Sequence, residues 1–249
     1  MPRIRPANRL MALISAATTV FSDLGYKRAQ MADVAGAMGV STGTLYLYVK
    51  GKAALFDLVI RDALGLIDHT DPPEFPIVEP PPGSTLALVR PLLLAERLVP
   101  ELADALTRDR VKGATNPCEE FAGIVTGLYR VMTTNRHALV VLEKSAYDWP
   151  ELAEVFFEGM RERLLVDLIR YLELRIEVAQ VRPLPEPRLA ALEILQTLAW
   201  FSQYRRRDVD LPDLGDSQVC ESLVDNLSHA FLATQYLPPA TPPGARQTE

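Results

Sequence analysis

The sequence holds few of the residues with which proteins bind metals or carry out nucleophilic chemistry. It has two cysteines, Cys118 and Cys220, and three histidines, His69, His137 and His229. The cysteines have neither metal-ligand nor redox spacing, and the histidines stand alone, so no metal site is expected. Both thiols are read as reduced, in a cytoplasmic chain, although the count alone leaves a disulfide open. The sequence has no Ser/His/Asp order, glycine-rich phosphate loop or paired-carboxylate motif that rises above background. Neither enzymatic activity nor a cofactor is therefore expected. Apolar runs long enough to span a membrane, about 20 residues, are also missing. The opening MPRIRPANRL is basic but lacks the apolar block and small-residue cleavage site of a secretion signal. Strand-like alternation and a fixed internal repeat are absent too, which points to an all-α fold.

The chain is rich in apolar residues at helical spacing. At 249 residues and 48% apolar content, it is long enough for one large domain or two small ones. Its net charge of −6 is unevenly divided. Residues 1–60 carry seven basic groups (Arg3, Arg5, Arg9, Lys27, Arg28, Lys50, Lys52) against Asp23, Asp33 and Asp57, or +4. The remainder holds 19 basic and 29 acidic groups, or −10. A basic head on an acidic body suits a chain that presents one end to phosphate.

Residues 1–7 read as a basic arm. Asn8 is placed to cap a helix running to about Leu24, with Leu10, Leu13, Ala17, Val20 and Phe21 on one face and Gly25 ending it. A second helix covers Met31 to Met38. Gly39 can close it in the left-handed region without steric cost. Ser41 then suits the N-cap of a short third helix, Ser41 to Tyr48. Lys50-Gly51-Lys52 turns into a fourth, striped by Leu55, Phe56, Val59, Ile60, Ala63, Leu66 and Ile67. The second and third helices, hinged at Gly39, read as a helix-turn-helix whose second member enters a DNA major groove.

Residues 71–84, DPPEFPIVEPPPGS, contain six prolines and cannot be helical. They read as an extended connector, and two forms stay open: an ordered packed strap or a disordered insertion. The expected division is a head over 1–70, this connector over 71–84, a helical effector-binding and dimerisation body over 85–237 and a disordered tail over 238–249. Within the body, helices are expected over 84–98, 100–110, around 121–132, 137–148, 150–178, 188–206 and 216–236.

Residues 9–56 resemble the N-terminal domain of the tetracycline-repressor (TetR/AcrR) family of bacterial transcription regulators. The resemblance runs through Ala16-Ala17, Phe21, Gly25-Tyr26, Val34-Ala35, Gly39-Val40-Ser41, Gly43-Thr44-Leu45-Tyr46 and Lys52-x-x-Leu55. It implies a homodimeric repressor that binds a palindromic double-stranded operator and is released by a small-molecule effector. It implies that Thr42, Gly43, Thr44 and Leu47 face base edges, with Ser41 capping their helix. Tyr46, Tyr48 and Lys52 would touch the DNA backbone. The family's usual Thr-Ser/Thr before the second helix is Ala29-Gln30 here, so the usual cap and phosphate contact is either lost or replaced by the Gln30 amide. The resemblance further implies a four-helix dimer interface from the last two helices, with Leu192, Leu195, Leu223, Leu227 and Phe231 as candidates. The alternatives are a dimeric ligand-binding module whose head no longer reads DNA and, further off, an enzyme. Trp149, Tyr147, Tyr129 and Trp200 are read first as core and second as the lining of an effector cavity. Glu96, Arg130 and Glu143 are read first as solvated or ion-paired and second as ligand-orienting. No effector-binding residue is assigned.

Overall fold

The computed structural model describes residues 6–107, 116–207 and 214–237. In chain order the helices are α1 (Pro6–Arg28), α2 (Met31–Met38), α3 (Thr42–Leu45), α4 (Lys52–Ala63), α5 (Ser84–Leu93) and α6 (Pro100–Thr107). There follow α7 (Pro117–Thr134), α8 (Arg136–Ala146), α9 (Pro150–Ala153), α10 (Glu162–Glu177), α11 (Pro187–Ala199) and α12 (Asp216–Phe231). Wider π-helical turns extend α9 over Glu154–Arg161 and α11 over Trp200–Tyr204. Among the described residues there is no strand, only isolated bridges at Val49–Ile77 and Val181–Leu232. Nor is any helix there long and apolar enough to cross a membrane. Of the expected terminal segments, the arm before Pro6 and the tail from Pro238 lie outside the described residues.

By packing, the chain forms two compact units, Met1–Leu98 with Met132–Leu164, and Val99–Val131 with Leu165–Glu249. The stretch 85–237 that the sequence suggested as one body is thus shared between them, because α8 and α9 pack with the head. The core of the first unit joins Leu10, Leu13, Ala17, Phe21, Val34, Leu45, Leu55, Phe56 and Ile60 to Val141, Leu142 and Leu152. Gly25 makes this docking possible. Its φ of 74° and ψ of 169° lie in a region essentially open only to glycine. A Cβ there would also stand 2.7 Å from the Lys144 carbonyl oxygen of α8. Gly25 breaks the regular helix as expected, and one further turn, Tyr26–Arg28, follows it. The Tyr26 amide then donates to Ser145 Oγ at 3.1 Å, and that hydroxyl donates to the Val141 carbonyl at 2.6 Å. The rings of Tyr26, Phe56 and Trp149 close the corner, with Trp149 5.2 Å from Tyr26.

The proline-rich connector is ordered. Its backbone pairs at Ile77, whose N–H donates to the Tyr48 carbonyl at 2.8 Å and whose carbonyl accepts from Lys50 at 2.9 Å. Phe75 meets the Tyr48 ring edge to face at 5.2 Å. Just past the connector, Thr85 Oγ1 donates to the buried Asp57 carboxylate of α4 at 2.7 Å. Six prolines forbid helix but leave carbonyls free, so a strap that pairs through one non-proline residue suits this composition.

The second unit has its own core, in which Phe121 lies against Tyr171 and Phe231. It encloses one ion pair: Arg175, 1% exposed, bonds Glu120 at 2.7 Å and the Ala105 carbonyl at 3.0 Å. A buried pair of this kind is tolerable only when its hydrogen bonds are made. Burial and the Glu120 carboxylate push the Tyr171 phenol up. Leu195, Leu223, Leu227 and Phe231, expected at the dimer interface, are buried within this unit, and Leu192 is half-buried. They are the subunit's own core. An apolar stripe shows that a face is covered but not by what, and here the chain covers it itself. The outward apolar residues of this region are Leu189 at 64% and Trp200 at 39% exposed. Both cysteines are free and line one cavity of about 450 Å³ with Thr126, Val224 and Ser228.

Two measurements check these assignments. Gly25→Ala is expected to lower stability by about 2–3 kcal/mol, read as a lower urea midpoint. Leu227→Glu is expected to unfold the second unit, and circular dichroism would show lost helix instead of a folded monomer.

Candidate nucleic-acid interface

The interface is built on a pivot at Gly39. Its φ of 70° and ψ of 30° place it in the left-handed region, and its N–H closes α2 on the Ala35 and Gly36 carbonyls. Ser41 follows in extended conformation, and its Oγ accepts from the Thr44 amide at 3.1 Å. The Ser41 and Thr44 hydroxyls also share a hydrogen bond of 2.8 Å. Ser41 is therefore an N-cap, as its residue type suggested.

The reading helix is shorter than expected. Regular α-helix covers Thr42–Leu45, and the chain then tightens, with Leu47 donating to Thr44 and Tyr48 to Leu45 at 3.1 and 2.9 Å. The cause lies beyond it. The strap engages the Tyr48 carbonyl and the Lys50 amide, so the backbone groups that a longer helix needs are paired sideways. Leu45 and Val49 are wholly buried and anchor the segment to the core. Thr42 and Gly43 are exposed on its other side, with Tyr46 at 44% and Leu47 at 67%. A leucine two-thirds in water on an otherwise polar turn has no packing role in the free chain. Thr44 is half-buried with its hydroxyl partly engaged, and Tyr48 is backed by Phe75.

Lys52 and Gln30 stand differently from expectation. The Lys52 ammonium donates to the carbonyls of Lys27 and Ala29 at 3.1 and 3.0 Å and lies 4.9 Å from the Tyr26 ring centre. It ties the start of α4 to the turn between α1 and α2. Burial and the neighbouring Lys27 lower its pKa. Two of its three N–H donors are thus held within the chain, leaving one for a phosphate. At Gln30 the carboxylate of Asp33 accepts from the backbone N–H at 2.8 Å, so the turn into α2 is closed from Asp33. The Gln30 residue itself is exposed.

The candidate effector residues are divided between the two units. Trp149 belongs to the aromatic corner of the first unit, and Tyr147 is exposed beside Phe157. In the second unit Tyr129 is buried, which raises its pKa, and Trp200 lies against Phe201. Arg130 is paired with Glu101 at 2.7 Å, Glu96 is exposed and Glu143 is half-buried. Arg205 bonds Asp216 at the start of α12.

Residues 13–59 match the family described as bacterial regulatory proteins, tetR family. The chain is similar to the HTH-type transcriptional repressor KstR2 of Mycolicibacterium smegmatis, with 37% identity over 60 residues. That match covers 24% of this chain and 29% of the relative. It is also similar to the fatty acid metabolism regulator protein of Bacillus subtilis, with 34% identity over 65 residues, 26% of this chain and 32% of that one. The chain thus spans about three tenths of the length of the curated relatives it matches. Among solved structures, the ketosteroid transcriptional regulator KstR2 of Mycobacterium tuberculosis shares the fold. Its TM-score is 0.50 at 18% identity, over 90% of this chain and 95% of that one. The matched span contains the Gly39 pivot, the Ser41 cap and the exposed turn, so the likeness to the tetR family of bacterial regulatory proteins rests on the head of this chain.

Proposed function

We propose that this chain is a DNA-binding transcriptional regulator of the repressor kind. It acts in the cytoplasm as a homodimer on a palindromic operator and is released by a small-molecule effector. The observation that carries this reading is the outward turn of Thr42, Gly43, Tyr46 and Leu47, held on a buried Leu45 and Val49. Threonine can donate, accept or touch a thymine methyl, glycine lets the backbone come close, and Leu47 adds apolar contact. None is a bidentate base reader, so sequence preference rests partly on duplex shape. Tyr46 and the remaining Lys52 donor serve the sugar-phosphate chain, which fixes register. A relative that matches over this head is named a transcriptional repressor, which supports the direction of regulation. The dimer forms through the outward faces of α11 and α12; Leu189 on α11 and Trp200 just past its end stand exposed. The effector shifts DNA binding only as far as it prefers one arrangement of the dimer over the other.

Fluorescence anisotropy with a random duplex at low salt tests the central claim. Wild type is expected to bind and to weaken steeply as salt rises. Leu47→Glu is expected to weaken binding at least about tenfold while leaving the fold intact, since the side chain is exposed. A duplex that wild type fails to bind would make the head a non-reading module. Lys52→Met is expected to destabilise the head by about 1–2 kcal/mol in urea, because two carbonyls lose their charged donor. It is also expected to reduce the salt slope by at most about one. Trp200→Glu is expected to yield folded monomers by light scattering; a retained dimer would move the interface elsewhere.

A further inference from the structure

The strap does more than join two parts of the chain. Gly51 is the N-cap of α4, and it makes no side-chain cap; no acidic residue lies in the helix's first turn. The N–H groups at such an end are unsatisfied and carry partial positive charge. Lys50 and Lys52 flank Gly51 and add to it. An anion is favoured there, and the one present comes from the strap. A Cβ on Gly51 would collide with the Glu79 carboxylate, so that carboxylate lies directly against the Gly51 backbone. The φ of Gly51 is 178°, an extended value open to any residue, so only this close approach uses the missing side chain. Glu79 is also near enough to Tyr26 to help raise its phenol's pKa.

We propose that Glu79 is a built-in competitor for duplex phosphate, held against the edge of the reading segment by the strap. The backbone pairing of Ile77 with Tyr48 and Lys50 fixes the strap two residues before Glu79. The strap is pinned a second time where Thr85 meets Asp57. The carboxylate is thereby delivered to α4 and not left to wander in solvent. Gly51 lies three residues past Tyr48, so a phosphate contacting this edge meets a fixed negative charge. The strap sets a threshold: DNA binds only where its other contacts outweigh that charge. Weak, non-specific association suffers most, and operator contact survives. This inference rests on the DNA-binding reading above.

Glu79→Gln and Glu74→Gln separate the local effect from net charge. Both remove one negative charge from the strap, and both residues are exposed. Each full-length variant is titrated with a random duplex by fluorescence anisotropy across a salt series. Glu79→Gln is expected to bind about fivefold tighter at low salt, with a steeper salt dependence, and Glu74→Gln to stay near wild type. Equal gains from both variants would reduce the effect to overall charge and overturn the proposal. Unchanged binding by Glu79→Gln, with wild type binding, would also overturn it. Weaker binding by Glu79→Gln would make the contact a splint for the reading turn, again against the proposal. If neither wild type nor variant bound DNA, the DNA-binding reading would fail and this inference with it.

Discussion

The ammonium of Lys52 holds the head together. The short helices α2 and α3 share an apolar core with α1 and α4, and a polar tie adds direction to that packing. A single cation at the start of α4 gathers the two carbonyls that end the α1–α2 turn and lies over the Tyr26 ring. That fixes where α2 begins, and α2 with Gly39 fixes where α3 points. Charge-assisted bonds to carbonyls suit this purpose, since they constrain direction as well as distance.

Around that point the first unit is cross-braced. Gly25 allows α1 to approach the α8 backbone, Ser145 receives the Tyr26 amide, and Arg28 pairs with Asp148 at 3.0 Å. The strap then grips the far side of the reading turn through Ile77. The exposed residues Thr42, Gly43, Tyr46 and Leu47 are consequently carried on a turn anchored at both ends. A preorganised surface loses less entropy on binding than a mobile one. This explains how four helical residues can serve where a longer helix was expected. The strap's acidity has the opposite sign of effect, so it supplies rigidity and an electrostatic threshold together.

Much of the head was legible because its signals are local. A left-handed glycine, a serine cap and an apolar stripe act within a few residues, and Gly39, Ser41, Leu45 and Leu55 all stand where those rules put them. The long-range partners were not legible. Lys52 reads only as a phosphate contact until the carbonyls of Lys27 and Ala29 are folded against it. Gln30 reads as a cap and stands at the N-cap of α2, but the carboxylate of Asp33 three residues on, which closes the turn, was not read. The length of the reading helix was overestimated because nothing local reveals that Ile77, some thirty residues later, pairs with its end. Leu195, Leu223, Leu227 and Phe231 were read as partner-facing for a related reason: helical periodicity marks a buried face without naming its cover.

The sequence by itself determined an all-α chain with a basic N-terminal helix-turn-helix and a proline-rich break after it. These follow from periodicity, backbone chemistry and residue inventory, which need no knowledge of distant neighbours. Tertiary structure decided that the break is a docked strap, that α8 belongs with the head, that the stripes of α11 and α12 face inward, and that the Glu79 carboxylate lies against Gly51 at the start of α4. Each of these depends on contacts between residues far apart in the chain, and the energy of such contacts exists only once the chain has closed.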